Sequence, residues 1–185
     1  MKVLTVLVPT YNVEKYLRRC LDSLLLPEVL EEIEVLVVND GSKDGSADIA
    51  RAYEKKYPQT VVFVDKENGG HGSTINVGIE KAQGTYFKVL DSDDWVNIGD
   101  FIEFVKRLKE ETADAVICDY RKEHVYNGKS EYFEYKDLED GKKYNLNEID
   151  LNILHGEYFM MATTTYRTEV LLSLIHISEP TRHAQ

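Results

Sequence analysis

Short apolar runs alternate with amphipathic segments along the first 120 residues, and this alternation limits the fold more than any other feature of the sequence. The apolar runs are typical of strands and lie at Val3–Val8, Ile33–Val38, Val61–Val64, Tyr86–Leu90 and Ala115–Cys118. Apolar residues recur at helical spacing between them, in Val13–Leu25, Ser46–Tyr57, Ser73–Ala82 and Phe101–Leu108. Strands that alternate with helices predict an α/β fold, with a mostly parallel sheet flanked by helices.

The pattern changes after the fifth predicted strand. Tyr120–Tyr126 and Ser130–Lys136 alternate in polarity around Asn127-Gly128, a dipeptide that favours a tight turn. This segment therefore predicts a β-hairpin that projects from the α/β core. Weaker patterns further on predict a short helix near Leu146–Leu154 and a strand near Phe159–Tyr166.

The C-terminal residues differ in character from the rest. The run LSLIHISEPTR at 172–182 resembles the translation of a sequencing-library adapter, which is not part of a native fold. The alternative is a short natural strand followed by a polar tail. We expect one domain over residues 1–171, truncated at its C-terminus, and a non-native tail over residues 172–185.

Composition excludes several functional classes. The chain has 185 residues, with 33 acidic and 22 basic side chains and a formal net charge of −11. This balance disfavours nucleic acid as a partner, because affinity for a phosphate backbone comes largely from clustered Lys and Arg. No apolar run reaches the roughly 18 to 20 residues that span a bilayer. Met1-Lys2 leads directly into the first predicted strand, so we expect no signal peptide here. We expect a soluble cytoplasmic chain, and leave membrane association of a longer protein open.

Three polar clusters follow the predicted strands: Pro9-Thr10-Tyr11-Asn12, Asn39-Asp40-Gly41-Ser42 and Asp91-Ser92-Asp93-Asp94. Parallel sheets bind ligands beyond the carboxyl ends of their strands, so these clusters predict a site. A spacing of two along an extended segment would turn Asp91 and Asp93 to the same side, which suits a hard divalent cation. The alternative is that the cluster is an acidic N-cap for the following helix.

Two further motifs have more than one interpretation. Asp40-Gly41-Ser42 is typical of a turn, although a carboxylate at a strand end could also accept a hydrogen bond from a base imide. The glycine-rich segment Asn68–Gly72 precedes a helix, so its backbone N–H groups could approach an anion, although it matches neither GxGxxG nor GxxxxGK[ST]. His71 in this segment could be a base, a ligand or an ordinary loop residue.

Four motifs together resemble the inverting glycosyltransferases of family 2: PTYN at 9–12, NDGSKDGS at 39–46, NGGHGSTINVGI at 68–79 and YFKVLDSDDW at 86–95. Their order and spacing match the family over most of residues 1–120. The resemblance implies a GT-A fold and an enzyme of hexosyltransferase type. It also implies a nucleotide-diphosphosugar donor, most often a UDP-sugar, a divalent Mn²⁺ or Mg²⁺ ion, and a saccharide, lipid-linked or other hydroxyl acceptor in polysaccharide or glycoconjugate synthesis.

The resemblance also implies roles for residues at matching positions. Tyr11 would stack on the base, Asp40 would read it, and Glu14 would close the same pocket. Asp91 and Asp93 match the DxD pair, in which the first lies near the ribose and metal and the second is the metal ligand. The expected donor-binding residues are Pro9, Thr10, Tyr11, Glu14, Asp40, Lys66, Gly69, Gly70, Asn76, Asp91 and Ser92, and the expected metal ligands are Asp91 and Asp93.

The sequence departs from the family pattern at two points. Many members carry an arginine before the asparagine of the third motif, where it can face the diphosphate, but Ile75 precedes Asn76 here. The metal, or another base such as Lys66, would then compensate more of the donor's charge. The catalytic base is the second departure, because none of the available carboxylates lies in a recognisable motif: Asp137, Asp140, Glu157 and Glu169. We expect that the base lies beyond Leu171 and that the chain binds donor but transfers sugar poorly.

Two other functions are alternatives to this enzyme. A truncated or degenerate domain could bind a nucleotide sugar without turnover. A nucleotidyltransferase would need a loop rich in glycine and basic residues after the first strand to hold triphosphate, and PTYNVEKY at 9–16 supplies none.

Overall fold

A computed structural model describes residues 1–124, 126–136, 138–145 and 161–178. The strands are β1 (Leu4–Thr10), β2 (Ile33–Asp40), β3 (Val61–Lys66), β4 (Tyr86–Val89), β5 (Ala115–Ile117), β6 (Tyr120–His124), β7 (Lys129–Phe133) and β8 (Thr164–Arg167). The helices are α1 (Leu17–Leu24), α2 (Ser46–Lys56), α3 (His71–Lys81), α4 (Ile98–Leu108) and α5 (Thr168–Ser178).

Six strands form one sheet in the order β3-β2-β1-β4-β8-β5. The first four strands in this order, β3, β2, β1 and β4, run parallel to one another, and β8 runs antiparallel to both β4 and β5. This confirms the predicted α/β fold with a mostly parallel sheet. The register places Thr10 at the end of β1 opposite Asn39 near the end of β2. The polar clusters that follow these strands therefore meet at one edge of the sheet.

The sheet is covered by helices on both faces, which explains the almost continuous apolar runs in β1 and β2. Leu4, Val6 and Val8 point into the larger core, which they share with residues of α1, α2 and α4. Leu7, between them, points into the second core with Ile79 of α3. All seven residues of β1 are buried. Two buried faces fix the position of β1, so the side chains that follow it are held in place.

The predicted hairpin is confirmed as β6 and β7, which pair antiparallel in a separate two-stranded sheet. Tyr120 lies opposite Phe133, and their stacked rings have centroids 4.6 Å apart. Gly128 adopts a left-handed φ of 66° in the turn. Most of the hairpin's side chains are exposed, in keeping with a projection from the core.

The C-terminal part matches the sequence predictions only in part. The strand predicted near Phe159–Tyr166 overlaps β8, while the helix predicted near Leu146–Leu154 lies outside the described residues. Residues 172–178 belong to α5, so the short strand considered there is not formed, and Leu172 packs against the second core. The boundary at residue 171 stays a prediction. Within the described part of the chain, no helix is long and apolar enough to cross a bilayer.

Gly84 lies where the connection before β4 touches β1. A Cβ at this position would overlap the backbone nitrogen of Thr5 and lie 2.6 Å from the carbonyl carbon of Leu4. We expect Gly84→Ala to lower the free energy of unfolding by about 3 kcal/mol, measured by urea denaturation, because backbone of a buried strand cannot move aside. Gly99→Ala on α4 is the control, because its nearest neighbour would be 3.6 Å away and alanine favours a helix. Equal stability of the two variants would contradict this expectation.

Candidate functional site

A cleft of about 720 Å³ opens beyond the carboxyl ends of β1, β2 and β4. Its lining residues are Pro9, Thr10, Tyr11, Val13, Asp40, Asn68, Gly70, His71, Thr74, Asp91, Ser92 and Asp93. This position is the one expected for a ligand site on a parallel sheet. The structure thus brings together most of the predicted donor and metal residues. The predicted residues that do not line the cleft are Glu14, Lys66, Gly69 and Asn76.

One wall of the cleft is formed where β1 turns towards α1. Asn12 has a left-handed φ of 53°, its N–H donates to Ser42 Oγ (3.0 Å), and its Oδ1 accepts from the Lys43 N–H (2.8 Å). These bonds tie the turn to the loop after β2. Tyr11 precedes the turn and leaves 50% of its surface exposed at the cleft, while Thr10 is buried. The wall therefore offers an accessible aromatic ring on a fixed backbone.

Glu14, predicted to close the same pocket, has another role in the structure. Its Oε2 accepts a 2.7 Å hydrogen bond from the Gly45 N–H, and its own N–H donates to Asp44 Oδ2 (3.1 Å). Both contacts lie at the start of α2. Glu14 therefore joins the first connection to the second, outside the cleft.

Asp40 holds the glycine-rich loop. Its side chain is 5% exposed, Oδ1 accepts from Lys66 Nζ and from the Gly69 N–H (2.9 Å), and Oδ2 accepts from the Gly70 N–H (2.8 Å). Burial alone would raise the pKa of this carboxyl, but the bonds from Lys66, Gly69 and Gly70 together lower it. The carboxylate is therefore ionised and determines where the loop and the start of α3 lie.

Lys66 is engaged behind the cleft. Besides Asp40, its Nζ donates to Ser73 Oγ (2.9 Å) and to the carbonyl oxygen of Glu67 (2.6 Å). Three acceptors occupy the three donors of an ammonium group. Lys66 is thus not placed to compensate a second anion in the cleft.

Asp91, Ser92, Asp93 and Asp94 form a turn closed by a 2.9 Å bond from the Asp94 N–H to the Asp91 carbonyl oxygen. The expectation of an extended segment was wrong, because the chain leaves the sheet at the end of β4 and turns at once. Asp91 and Asp93 nevertheless both line the cleft.

The acidic cluster does not cap the following helix. Asn97 is the N-cap of α4, and its Oδ1 accepts from the N–H groups of Gly99 (3.0 Å) and Asp100 (3.2 Å). The structure therefore excludes the capping alternative for Asp91 and Asp93.

The acidic cluster carries uncompensated negative charge. Desolvation, followed by the charges of Asp93 and Asp91, raises the pKa of Asp94. In the described parts of the chain no Lys or Arg pairs with the cluster, and the nearest basic group is His71 Nε2, 3.9 Å from Asp91 Oδ1. Such carboxylates fit a hard divalent cation. The described residues hold no group of three side chains that could bind a metal alone, so a bound ligand would complete the coordination.

α3 begins at the edge of the cleft. His71 is its first residue, its side chain is 50% exposed, and no side chain caps the helix. Thr74, one turn further, is buried and lines the cleft. Sequence reasoning did not single out Thr74, Asn68 or Val13, although the first two lie in the third quoted motif. Val13 carried no signal, because an apolar residue before a helix is usually a core residue.

The structure does not identify a catalytic base among the four candidates. Asp140 is exposed, 3.9 Å from Arg107, and Glu169 is exposed, 3.8 Å from Arg167. Neither lines the cleft. Asp137 and Glu157 lie outside the described residues.

Comparison with known proteins identifies the family. The model of the family "Glycosyl transferase family 2" matches residues 5–167. The chain belongs to this family. Membership confirms the resemblance drawn from the four motifs.

Individual relatives agree with the assignment to family 2. EpsH of Bacillus subtilis (strain 168) is 41% identical over 126 residues, which is 68% of this chain and 36% of EpsH. The minor teichoic acid biosynthesis protein GgaB of the same strain is 41% identical over 98 residues, 52% of this chain and 11% of GgaB. This family 2 chain therefore spans about a third, or less, of the length of these relatives.

Solved structures show the same fold. The crystal structure of S. aureus TarS 1–349 superposes with a TM-score of 0.74 and 28% identity, over 95% of this chain and 49% of TarS 1–349. TarS 1–349 has also been solved with UDP and with UDP-GlcNAc, at TM-scores of 0.66. The family 2 chain thus has a GT-A fold, as predicted.

Proposed function

We propose that this family 2 chain is the donor-binding part of an inverting glycosyltransferase that takes a UDP-sugar and transfers the sugar to a hydroxyl acceptor. One observation carries the proposal: the acidic pair Asp91 and Asp93 lines the same cleft as Tyr11 and Asp40. A site for a nucleotide sugar needs these two parts, one for the base and one for the diphosphate. The crystallographic complexes of TarS with UDP and UDP-GlcNAc, at 25% and 26% identity, support the choice of uridine.

The nucleoside would lie against the β1 wall. The exposed ring of Tyr11 offers a face on which a base stacks, and Pro9 and Thr10 line the same cleft. Asp40 Oδ2 accepts one N–H from the protein, so a second lone pair remains for the imide N–H of uracil. Asp40 would then hold the loop and read the base with the same carboxylate.

The diphosphate would lie towards the acidic turn. Asp91 and Asp93 would hold Mn²⁺ or Mg²⁺, together with phosphate oxygens of the donor. The cation's chemistry there is to neutralise negative charge on the departing nucleoside diphosphate. Asp91 and Asp93 would determine where the cation lies, because β4 and the turn after it position both residues.

A binding module without turnover is a second candidate, favoured by one feature of the cleft. Beyond Asp40, Asp91 and Asp93, its described lining contains no carboxylate that could deprotonate an acceptor hydroxyl. We propose that the 185-residue chain by itself binds donor and transfers little sugar, and that activity belongs to a longer protein in polysaccharide or glycoconjugate synthesis. Sugar transfer by the 185-residue chain, at rates typical of an enzyme, would contradict this.

Calorimetric titration tests the proposed donor. We expect UDP to bind in the presence of Mn²⁺, to bind much more weakly after EDTA is added, and to be preferred over GDP by at least about tenfold. Uracil needs one acceptor for its imide N–H, whereas guanine offers two adjacent N–H donors that pair with both oxygens of a carboxylate, and Oδ1 of Asp40 is already occupied by Lys66 and Gly69. GDP titrated under the same conditions is the control. Binding of GDP in preference to UDP, or of neither nucleotide, would overturn the assignment of a UDP-sugar donor.

A further inference from the structure

The first backbone N–H groups of α3, which begins at the edge of the cleft, have no side-chain cap. The N–H of Gly70 donates to Asp40, and the N–H of Ser73 donates to the Gly70 carbonyl oxygen. The N–H groups of His71 and Gly72 have no partner among the described residues, and no side chain caps the helix. A helix of 11 residues begins here, so its N-terminal partial charge adds to the effect of these donors. The start of α3 can therefore receive an anion.

The space beside these donors is open. A Cβ built at Gly70 or at Gly72 meets nothing within 4 Å. Gly72 has no positive φ, so neither packing nor backbone conformation requires glycine at this position. A glycine without an internal reason is consistent with close approach of a ligand to the backbone.

A hydroxyl in the same cleft, without a partner in the described part of the chain, supplies a second, independent observation. Ser92 is 5% exposed and lines the cleft, and its hydroxyl has no hydrogen-bond partner within the described residues. The two threonine hydroxyls of the lining both have partners, since Thr10 donates to the Val8 carbonyl oxygen and Thr74 donates to the His71 carbonyl oxygen. The Ser92 oxygen is not fully buried, so it is accessible from the cleft, and a ligand bound there can complete its bonding.

The charged side chains near the start of α3 determine which chemical class of ligand can bind there. Lys66 is bonded to Asp40 behind the cleft, and the described lining contains no Lys or Arg, which leaves His71 as its basic side chain. Its imidazole adds an N–H donor beside two free backbone donors and a free hydroxyl. The donors of His71, Ser92 and the first turn of α3 suit the oxygens of a phosphate group.

We propose that the start of α3, the His71 imidazole and the Ser92 hydroxyl directly bind the diphosphate of the donor nucleotide. This inference rests on the proposed function and assigns a phosphate-contacting role to His71. The contact takes the place of the arginine that Ile75 replaces, one helical turn along the same helix. It acts on the phosphates themselves and does not need the divalent cation.

Titrations of uridine, UMP and UDP test the inference, each in EDTA and again with Mg²⁺. We expect wild type to bind UDP more tightly than uridine in EDTA. His71→Ala should weaken UDP about tenfold in EDTA and change uridine less than twofold, because a hydrogen bond to a charged group contributes at least that much. His71→Gln, which keeps an N–H donor, should recover part of the loss, and Ser92→Ala should also weaken UDP selectively.

His124→Ala is the matched control, because this histidine lies on the hairpin, where it contacts Glu131. It should leave all three affinities unchanged, and thermal unfolding should show that His71→Ala folds like wild type. The inference is overturned if His71→Ala weakens uridine as much as UDP, or if its effect on UDP disappears in EDTA, which would place His71 on the cation instead. Failure of wild type to bind UDP with Mg²⁺ would overturn the proposed function as well.

Discussion

Replacing Asp93 with alanine is expected to abolish the metal-dependent part of UDP binding. The Asp93 side chain lines the cleft beside Asp91, and no Lys or Arg in the described residues pairs with it. Loss of one of two carboxylate ligands should lower the affinity for UDP in Mn²⁺ by at least about 100-fold, to the level measured in EDTA. Calorimetric titration of UDP with and without Mn²⁺ measures both values.

The same variant should fold as well as wild type. Asp93 is exposed, and its removal relieves repulsion among neighbouring carboxylates. In wild type, desolvation and, after it, this repulsion raise the pKa of Asp94. Asp93→Asn keeps the shape of the side chain but removes its charge, and it should lose nearly as much affinity for UDP in Mn²⁺ as Asp93→Ala. Asp48→Ala on the exposed face of α2 is the control, with UDP affinity unchanged. If Asp93→Ala keeps full Mn²⁺-dependent binding, Asp93 is not a metal ligand.

Replacing Asp40 with alanine should affect folding and binding together. The substitution removes the acceptor for Lys66 Nζ and for the N–H groups of Gly69 and Gly70 at a nearly buried position. We expect the free energy of unfolding to fall by about 3 kcal/mol and UDP binding to be lost, because the loop before α3 is no longer held. Urea denaturation measures the first effect and calorimetry the second.

A double substitution tests whether the ion pair is the cause. Asp40→Ala with Lys66→Met removes both charges, so it should be more stable than Asp40→Ala alone, since a lone ammonium is no longer left partly buried. Equal stability of the single and double variants would mean that the charge pair contributes little.

The dependence of stability on pH gives an independent check on Asp40. Its pKa is lower in the folded protein than in the unfolded chain, so its contribution is present above the unfolded value of about 3.9 and is lost as pH falls through the folded value. Wild type should therefore lose stability below about pH 4 more steeply than Asp40→Ala. Identical acid profiles for the two proteins would contradict the role assigned to the carboxylate.

The main sheet could be predicted from sequence because its strands are signalled locally. The strands β1 and β2 are buried on both faces, and strands of this kind need continuous apolar runs, which can be recognised in the local sequence. The position of β8 was not predictable in the same way. It carries threonines at 164 and 165, buried by neighbours distant in sequence, and its insertion between β4 and β5 depends on pairing alone.

The candidate site was also only partly predictable from the sequence. Tyr11, Asp91 and Asp93 were predicted to meet because each follows a parallel strand, and the cleft confirms it. The roles of Glu14 and Lys66 could not be predicted, because each is fixed by a partner more than 25 residues away, Gly45 and Asp40 respectively. The residue type shows that each of these side chains is charged, but the fold determines which partner each one contacts.

The placement of β8 has a consequence for the order in which the protein is made. Val116 in β5 pairs with Thr165 of β8, and Lys88 in β4 pairs with the same residue from the other side. A ribosome therefore releases β5 well before the strand that joins it to the sheet. During this interval β4 exposes an unpaired edge, on which another nascent chain can add a strand. We expect the speed of translation between residues 118 and 167 to influence how much of the protein reaches its native state.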